Sequence, residues 1–206
     1  MHQSPTSRRA RLLQGVIHLA SLAPLFATIW AGLHGDMTAN PIQAIIQRTG
    51  KYALIFLAAS LACAPLSSIF GLRAAIRWRR PLGLYAFMYA ALHFGVFVAV
   101  DYGFDLVLLR EAIFEKRFAL VGFAAGLVLL ALAITSTRGW ARRLGRRWEQ
   151  LHRLVYVAGL LAVIHYAWAV KADIRQPLAW GAVIILLLIL RLPPVRHGSA
   201  RLLGRR

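Results

Sequence analysis

The sequence is poor in acidic residues and in cysteine. Only 7 of its 206 residues are Asp or Glu, and charged residues of both signs make up 16% of the chain, against roughly 25% in soluble domains. The single cysteine, Cys63, excludes an internal disulfide, a cysteine-ligated zinc or iron–sulfur site and covalent c-type haem, which needs a C-x-x-C-H motif. Phosphate-binding, dinucleotide-binding and hydrolase motifs are also absent. The low charge makes an ordinary water-soluble globular protein an unexpected class for this chain, and the missing motifs mean that any redox chemistry has to lie in a bound cofactor.

Apolar residues are abundant instead, forming 59% of the chain and giving a mean hydropathy of +0.61. They are collected in long runs, and the basic residues between these runs bring the formal net charge to +18. A basic hydrophilic chain would indicate nucleic-acid binding, whereas basic residues between apolar runs are typical of membrane proteins. We therefore interpret the chain as one all-α integral membrane domain over residues 1–206, with no nucleic-acid partner.

Six apolar runs are candidate membrane-spanning helices, which need about 20 residues. They cover residues 12–33, 52–70, 82–100, 118–134, 154–170 and 177–192. The sixth is the weakest, because Arg191 must snorkel to the surface and Pro193 and Pro194 end the run. The pair Arg8 and Arg9 is similar to a twin-arginine export signal, but the first run is too long for a signal, which favours an uncleaved first helix.

The charges of the connections predict the orientation. The two tails and the second and fourth connections together contain eighteen arginines and one acidic residue. The other three connections contain seven basic and six acidic residues. Basic segments stay on the cytoplasmic side of a membrane. The alternation therefore predicts a six-helix transmembrane bundle with both termini in the cytoplasm.

Histidines inside the predicted spans are the candidate functional residues, because ionisable groups are costly in a membrane. At 1.5 Å per residue, His93 lies about 17 Å along the third helix and His165 about 20 Å along the fifth. This shared depth predicts two imidazoles that clamp one flat cofactor, with haem iron as the metal. His152 lies about 20 Å below His165 and is either an interfacial residue or a contact of a second electron carrier.

Other residues could complete or surround such a site. His18, in the inner part of the first helix, could join His152, whereas His34, at the outer end, is expected to be solvated. On an ideal helix His152 and His165 lie about 140° apart, so the helix either deforms near Gly159 or presents them on different faces. The glycines that would let a porphyrin approach the backbone are Gly83, Gly95 and Gly159.

Several segments resemble one protein family. The most specific is the L-G-x-x-W-x-x-L-H-R-L-x-Y element that runs from Leu144 to Tyr156, followed by His165 and Tyr166. Further matches are Asn40-Pro41, Arg48-Thr49-Gly50, Pro65-Leu66, and the segments that begin at Arg80 and Tyr89. These motifs are similar to those of the MsrQ (YedZ) family, haem-binding membrane subunits of protein-methionine-sulfoxide reductase, within the ferric-reductase-like transmembrane family.

The resemblance implies a b-type cytochrome in the bacterial inner membrane, with His93, His152 and His165 as haem-associated residues and with an FMN. It implies electron transfer to a periplasmic molybdopterin subunit, MsrP, with which the family forms a heterodimer and on which substrate reduction occurs. The implied donor is the quinone pool or a cytosolic flavin reductase. The third helix offers one histidine where the wider ferric-reductase pattern has two, so the number of haems stays open.

Two other functions are compatible with the residues. A stand-alone ferric or metal reductase would normally carry a fused flavin and nicotinamide domain, which we do not expect in this chain. A proton-coupled transporter could use His93 and His165 as a relay, but it would usually show internal repeats or helices broken at mid-membrane, and we find neither in the sequence. The outer acidic residues either guide a soluble partner or only keep the outer side from being basic.

Overall fold

The computed structural model describes residues 5–170 and 173–192, and all the regular elements within these ranges are helical. The nine α-helices of the described ranges are α1 Pro5–Leu33, α2 Pro41–Ser68, α3 Arg79–Val96, α4 Leu106–Glu115, α5 Arg117–Ile134, α6 Arg138–Leu144, α7 Arg146–His152, α8 Val155–Ala169 and α9 Arg175–Ile189. A 3₁₀ segment, Arg73–Trp78, leads into α3, and a π-helical turn, Phe97–Asp101, continues it. The predicted all-α fold is confirmed.

Five helical segments of the described chain are long and apolar enough to cross a membrane. They are Gln14–Leu33, Pro41–Ser68, Arg73–Asp101, Arg117–Ile134 and Arg146–Ala169. The sixth predicted span corresponds to α9, which has 15 residues and is therefore about 22 Å long. Its crossing stays a prediction, as does the orientation of the bundle. The C-terminal arginines beyond Leu192 and the prolines expected to end this run lie outside the described residues.

The second span begins three turns earlier than the apolar run that predicts it. Asn40 caps α2 by accepting a hydrogen bond from the Gln43 N–H at 3.0 Å, and Pro41 occupies the first turn, where its missing N–H costs nothing. The early turns carry polar residues, so they are invisible to a search for apolar runs. They are nevertheless part of the functional site, because Ile46 and Gly50 lie on them.

The fifth span is interrupted near its inner end. Gly145, with φ +52°, separates α6 from α7, and a turn at Arg153 and Leu154 separates α7 from α8. Gly159 lies inside α8, where its Cα faces Ile184 and Leu61. The deformation between His152 and His165 is therefore at residues 153–154 and not near Gly159.

The helices pack mainly as two pairs, α2 with α3 and α5 with α8, while α9 lies against α8 and α2. Fully buried residues where the pairs meet include two small ones, Ala86 and Ala158, which let the backbones approach. The two pairs each contribute one of the candidate histidines, His93 on α3 and His165 on α8.

The first helix is attached to α3 by a buried tyrosine. The Tyr89 hydroxyl donates to the Ser21 carbonyl at 2.8 Å and accepts from the Leu25 N–H at 3.1 Å. In a regular helix the Leu25 N–H would bond to the Ser21 carbonyl, and here the Tyr89 hydroxyl lies between them. Pro24, inside α1, is adjacent to this insertion. A side chain inserted in this way is a recognised cause of helix bending.

Arg191 turns into the protein, so the prediction that it snorkels is wrong. Its guanidinium donates to the Leu61 carbonyl at 2.5 Å and to the Tyr156 hydroxyl at 2.9 Å. The carbonyl of Leu61 has no partner within α2, because the residue four positions later is Pro65, which has no N–H. Arg191 thus satisfies an acceptor that a proline inside a membrane helix leaves open.

Candidate functional site

The structure brings together the two histidines that were predicted to share a depth. The ring centroids of His93 and His165 are 5.9 Å apart, and the ring planes meet at 83°, close to perpendicular. Both rings are partly buried between the two helix pairs. The site is thus a pair of imidazoles, one from each half of the bundle.

Each imidazole of this pair is oriented by a backbone carbonyl. Nδ1 of His93 lies 2.8 Å from the Ile46 carbonyl, and Nδ1 of His165 lies 2.8 Å from the Phe118 carbonyl. A carbonyl can only accept a hydrogen bond, so Nδ1 carries the proton in both rings and Nε2 carries the lone pair. This is the arrangement in which a neutral histidine ligates a metal through Nε2.

Two glycines make room for the rings. A Cβ on Gly122 would lie 2.5 Å from Nδ1 of His165, and a Cβ on Gly50 would lie 3.0 Å from Nδ1 of His93. Each glycine follows the residue of its acceptor carbonyl by one helical turn. The carbonyl and the space left by the missing side chain therefore lie on the same face of the helix, toward the histidine. Of the two, only Gly50 drew attention in the sequence, as part of the Arg48-Thr49-Gly50 motif.

The glycines selected from the sequence have other surroundings. Gly95 faces open space, Gly159 packs on Ile184 and Leu61, and a Cβ on Gly83 would lie 3.3 Å from Ser60 Oγ. None of the three touches the paired histidines, and their role in the approach of a cofactor stays a prediction. Gly50 precedes His93 by the same number of residues as Gly122 precedes His165. This equal sequence spacing is the signal that would have identified the two glycines.

The cradle of carbonyl, glycine and histidine occurs twice. In both helix pairs the acceptor carbonyl precedes its histidine by 47 residues, and the glycine follows the carbonyl by four. The structure thus shows the same local arrangement twice, although no internal repeat is visible in the sequence. The correspondence between the two halves does not extend to His152. This histidine precedes His165 by thirteen residues, whereas the residue thirteen positions before His93 is Arg80.

The paired site has two protein donors and no more. Within the described ranges, there is no group of three or more His, Cys, Asp and Glu residues that could hold a metal ion. A metal between the imidazoles therefore needs further ligands from a non-protein group. Two metal–nitrogen bonds of about 2 Å place imidazole centroids about 6 Å apart, and the observed separation is 5.9 Å. The donor set and its spacing fit an iron whose other ligands come from a porphyrin.

His152 is held differently from the other two. Its Nε2 lies 3.2 Å from the Thr135 hydroxyl, and that hydroxyl donates its one proton to the Ala131 carbonyl at 2.7 Å. Nε2 of His152 must therefore be the donor, which leaves the lone pair on Nδ1. The ring also stacks on Trp148, with centroids 4.0 Å apart. The structure places His152 in a fixed network at the end of α7, with none of the contacts of the paired histidines.

A cavity of about 210 Å³ opens beside His152, between the inner ends of α2, α3, α5 and the α7–α8 turn. Its polar lining comes from Ser60, Arg79, Arg80, Ser136, Trp148 and His152. No ion pair or side-chain hydrogen bond joins either arginine to another of the residues described. We call this space the inner cavity, and its uncompensated positive charge suits an anionic ligand.

His18 and His34 lie apart from these sites. His18 bonds through Nδ1 to the Tyr85 hydroxyl at 2.8 Å and lines a different cavity from His152, although the two cavities share Arg80 and Leu84. That His18 completes a site with His152 stays a prediction. His34 is exposed and stacks on Trp30, with centroids 3.9 Å apart. The exposure expected for His34 is confirmed.

The outer acidic residues on and beside α4 are exposed, but one of them has a structural role. Asp105 accepts hydrogen bonds from the N–H groups of Val107 and Leu108 and so caps α4. Neutralising it would weaken the helix as well as change the charge. A test of docking by charge removal should therefore use Asp101, Glu111 and Glu115 and keep Asp105.

Comparison with known proteins adds to this geometry. The profile of the family described as "Ferric reductase like transmembrane component" matches residues 49–163. The chain is 42% identical over 189 residues to "Protein-methionine-sulfoxide reductase heme-binding subunit MsrQ" of Xanthomonas euvesicatoria pv. vesicatoria, covering 89% of this chain and 87% of that protein. No solved structure matches the chain.

Proteins of the same name from two other bacteria are similarly close. That of Bordetella pertussis is 40% identical over 200 residues, covering 95% of this chain and 97% of the relative. That of Rhodospirillum rubrum is 44% identical over 199 residues, covering 94% of each. Helical fold, paired histidines and profile together define a multi-pass membrane protein of the ferric-reductase-like class. The chain belongs to this transmembrane family and, within it, to the group named MsrQ.

Proposed function

We propose that the chain is the b-type cytochrome subunit of a protein-methionine-sulfoxide reductase system in the bacterial inner membrane. The observation that carries the proposal is the pair of Nε2 lone pairs of His93 and His165, each oriented by a carbonyl bond on Nδ1. The relatives are named as heme-binding subunits of such a system. Haem binding by the same residues is the simplest function for the pair.

In this proposal His93 and His165 would hold one haem b through their Nε2 atoms. A haem supplies reversible one-electron chemistry, and the protein sets its position and potential. The carbonyls of Ile46 and Phe118 hold the two rings in the ligating tautomer, while Gly50 and Gly122 give them space. The fixed Nδ1 bonds favour ligation over a proton relay, because a relay needs both nitrogens of each ring to exchange protons.

The inner cavity is the proposed place for the FMN that the family resemblance implies. Arg79 and Arg80 could bind its phosphate, and the Trp148–His152 stack offers an aromatic surface for a flat ring. A second haem with His152 as ligand is the competing occupant. It would require His152 to release Thr135 or to ligate through Nδ1.

We propose further that electrons pass from the cytoplasmic side to a periplasmic molybdopterin subunit of the MsrP type, which reduces methionine sulfoxide. The charge distribution supports cytoplasmic termini and six spans, with α9 as the sixth. His93 and His165 then lie in the outer half of the membrane, close to a periplasmic partner in the heterodimer. The donor is either a membrane quinol or a cytosolic flavin reductase.

The experiment that tests this function is reoxidation of the reduced cytochrome by its partner. The purified protein is reduced, then mixed with the purified molybdopterin subunit, with and without a methionine-sulfoxide protein. We expect a b-type spectrum that reoxidises in a partner- and substrate-dependent way. A colourless protein, or a reduced haem that the partner does not oxidise, would contradict the proposal.

A further inference from the structure

A short helix, α4, lies between two spanning segments on the predicted outer side of the membrane. It follows the segment that ends at Asp101 and precedes the one that begins at Arg117. It packs on α5, and Leu109 and Ala112 are its buried residues, three positions apart. The helix is therefore seated on the bundle by one side and leaves its other sides open.

The open side of α4 is largely apolar. Leu106 is 79% exposed, Val107 67% and Phe114 64%. Leu106, Arg110 and Phe114 follow one another at four-residue spacing, so they share one side of the helix. Val107 precedes Phe114 by two turns and lies beside it. We call these four residues the outer face of α4.

The charges around the outer face favour a protein partner over a lipid surface. Helices that lie on a membrane carry Lys and Arg along their polar side. The polar edge of α4 instead carries Glu111 and Glu115, one turn apart and both exposed. An apolar patch with a charged rim is the pattern of a protein–protein interface, and an exposed arginine such as Arg110 is enriched in such patches.

The segment that presents the outer face is held at both of its ends. Lys116 Nζ donates to the Tyr102 hydroxyl at 3.0 Å and so joins the residues on either side of α4. Asp105 caps the first turn of the helix. A surface held in this way loses little conformational entropy when a partner binds to it.

Phe104, two residues before Leu106, has a backbone conformation that is rare for an aromatic residue. Its φ is +62°, in the left-handed region that favours glycine, and its side chain is 67% exposed. Strained residues of this kind are concentrated at functional sites. Because glycine would adopt this conformation without cost, the exposed ring indicates a contact with another molecule.

The outer face also lies close to the paired histidines along the chain. Phe118 follows Phe114 by four residues, which span at most about 14 Å. The Phe118 carbonyl holds Nδ1 of His165 at 2.8 Å, and the centroids of the two rings are 6.2 Å apart. A protein bound to α4 would therefore stand near the proposed haem.

We propose that Phe104 and the outer face of α4 form the docking surface for the soluble catalytic subunit, which presents an apolar groove bordered by basic side chains. The inference rests on the function proposed above for the existence of that subunit. The apolar side chains supply the affinity, and Glu111 and Glu115 guide the encounter. The small area of this surface is typical of the short-lived complexes of electron-transfer proteins.

Binding of the purified molybdopterin subunit to the full-length protein in lipid nanodiscs tests this surface. In the double variant Leu106→Ser/Phe114→Ser the Kd should rise on the order of thirtyfold, the effect of losing one interface hot spot. The matched control is Leu33→Ser, at the end of α1, where the side chain is 78% exposed. It should bind like the wild type, and all variants should keep the wild-type ratio of haem to protein.

Two further variants separate the ring and the charges from the fold. Phe104→Gly relieves the strained backbone, so its unfolding temperature should stay the same or rise while its Kd rises. Glu111→Gln/Glu115→Gln should lower the association rate and its salt dependence and leave the dissociation rate nearly unchanged.

A spin label at position 106 distinguishes the protein partner from a lipid surface. It is attached in the variant Cys63→Ala/Leu106→Cys, which removes the buried native thiol. In nanodiscs the label should be accessible to a water-soluble nickel complex and lose this accessibility when the catalytic subunit binds. A label accessible to oxygen but not to the nickel complex would place α4 in lipid and overturn the proposal.

The binding results also separate this inference from the proposed function. Wild-type affinity in Leu106→Ser/Phe114→Ser, or an equal loss in Leu33→Ser, would overturn the docking surface and leave the proposed function intact. An unchanged Kd in Phe104→Gly would overturn the role of its ring. A wild-type protein that neither binds the subunit nor is reoxidised by it would contradict the proposed function as well.

Discussion

His93 and His165 face each other edge to face, with centroids 5.9 Å apart, and each is anchored by an Nδ1 bond of 2.8 Å to a carbonyl of the preceding helix in its pair. The two anchors come from Ile46 and Phe118, at the same spacing from their histidines. Both imidazoles are therefore fixed before any ligand binds. A site prepared in this way avoids the entropy cost of ordering its ligands.

The glycine cradle gives a first prediction. In Gly122→Ala the new methyl group would lie 2.5 Å from Nδ1 of His165 and must displace the ring. Overpacking of this kind costs about 1–3 kcal/mol, so we expect roughly tenfold weaker haem retention. Gly50→Ala, with a distance of 3.0 Å, should have a smaller effect. Haem dissociation into apomyoglobin measures both.

The matched control for this prediction is Gly126→Ala. Gly126 lies one turn beyond Gly122 on α5, and a Cβ there meets no atom within 4 Å. It should retain haem like the wild type. Equal retention in Gly122→Ala and Gly126→Ala would show that the cradle does not position His165.

The angle between the rings gives a second prediction. The plane of an imidazole that ligates a haem iron selects the iron d orbital with which it overlaps, so two perpendicular rings would leave the two orbitals nearly equal in energy. The observed angle is 83°, and the ferric haem should therefore show a highly anisotropic low-spin signal in electron paramagnetic resonance. A three-line rhombic spectrum, typical of parallel rings, would indicate that the rings rotate when haem binds.

The contact between Arg191 and Leu61 predicts a coupling with Pro65. Arg191→Leu should destabilise the protein by about 1–3 kcal/mol, because it leaves the Leu61 carbonyl buried without a donor. Pro65→Ala supplies a backbone N–H to that carbonyl, so the loss should be smaller in the double variant. Thermal unfolding in detergent, analysed as a double-mutant cycle, measures the coupling. Additive losses would show that Arg191 acts elsewhere.

The orientation of the bundle can be tested with reporter fusions. Alkaline phosphatase, which is active only in the periplasm, should be active after Asp105 and inactive after Arg143 and after the C-terminus. The C-terminal fusion is decisive for α9, because its 15 residues are short for a hydrocarbon core of about 30 Å. Activity there would mean that α9 does not cross the membrane.

Depth along a helix could be predicted from the sequence, because each residue adds a fixed rise. That is why the pairing of His93 with His165 could be predicted from residue numbers. Contacts between helices could not be predicted in this way. The role of Gly122 depends on which helix faces it, and the inward turn of Arg191 depends on a carbonyl of a distant helix.

The inner part of the site shows the same limit. His152 could be placed near the inner surface, but its nitrogen assignment follows from Thr135 and Ala131, which lie on α5 or at its end. His18 and Tyr85, on α1 and α3, are joined by a hydrogen bond of 2.8 Å. The sequence alone offered no reason to join these two residues.

The most direct test of the central claim is the haem content of histidine variants of the full-length protein. The ratio of haem to protein and the reduced visible spectrum are measured for the wild type, His93→Ala, His165→Ala, His152→Ala and the control His34→Ala. The account predicts that His93→Ala and His165→Ala insert in the membrane but lose most haem, whereas His34→Ala keeps it and His152→Ala has a milder effect. Full haem and an unchanged spectrum in both His93→Ala and His165→Ala would contradict the account.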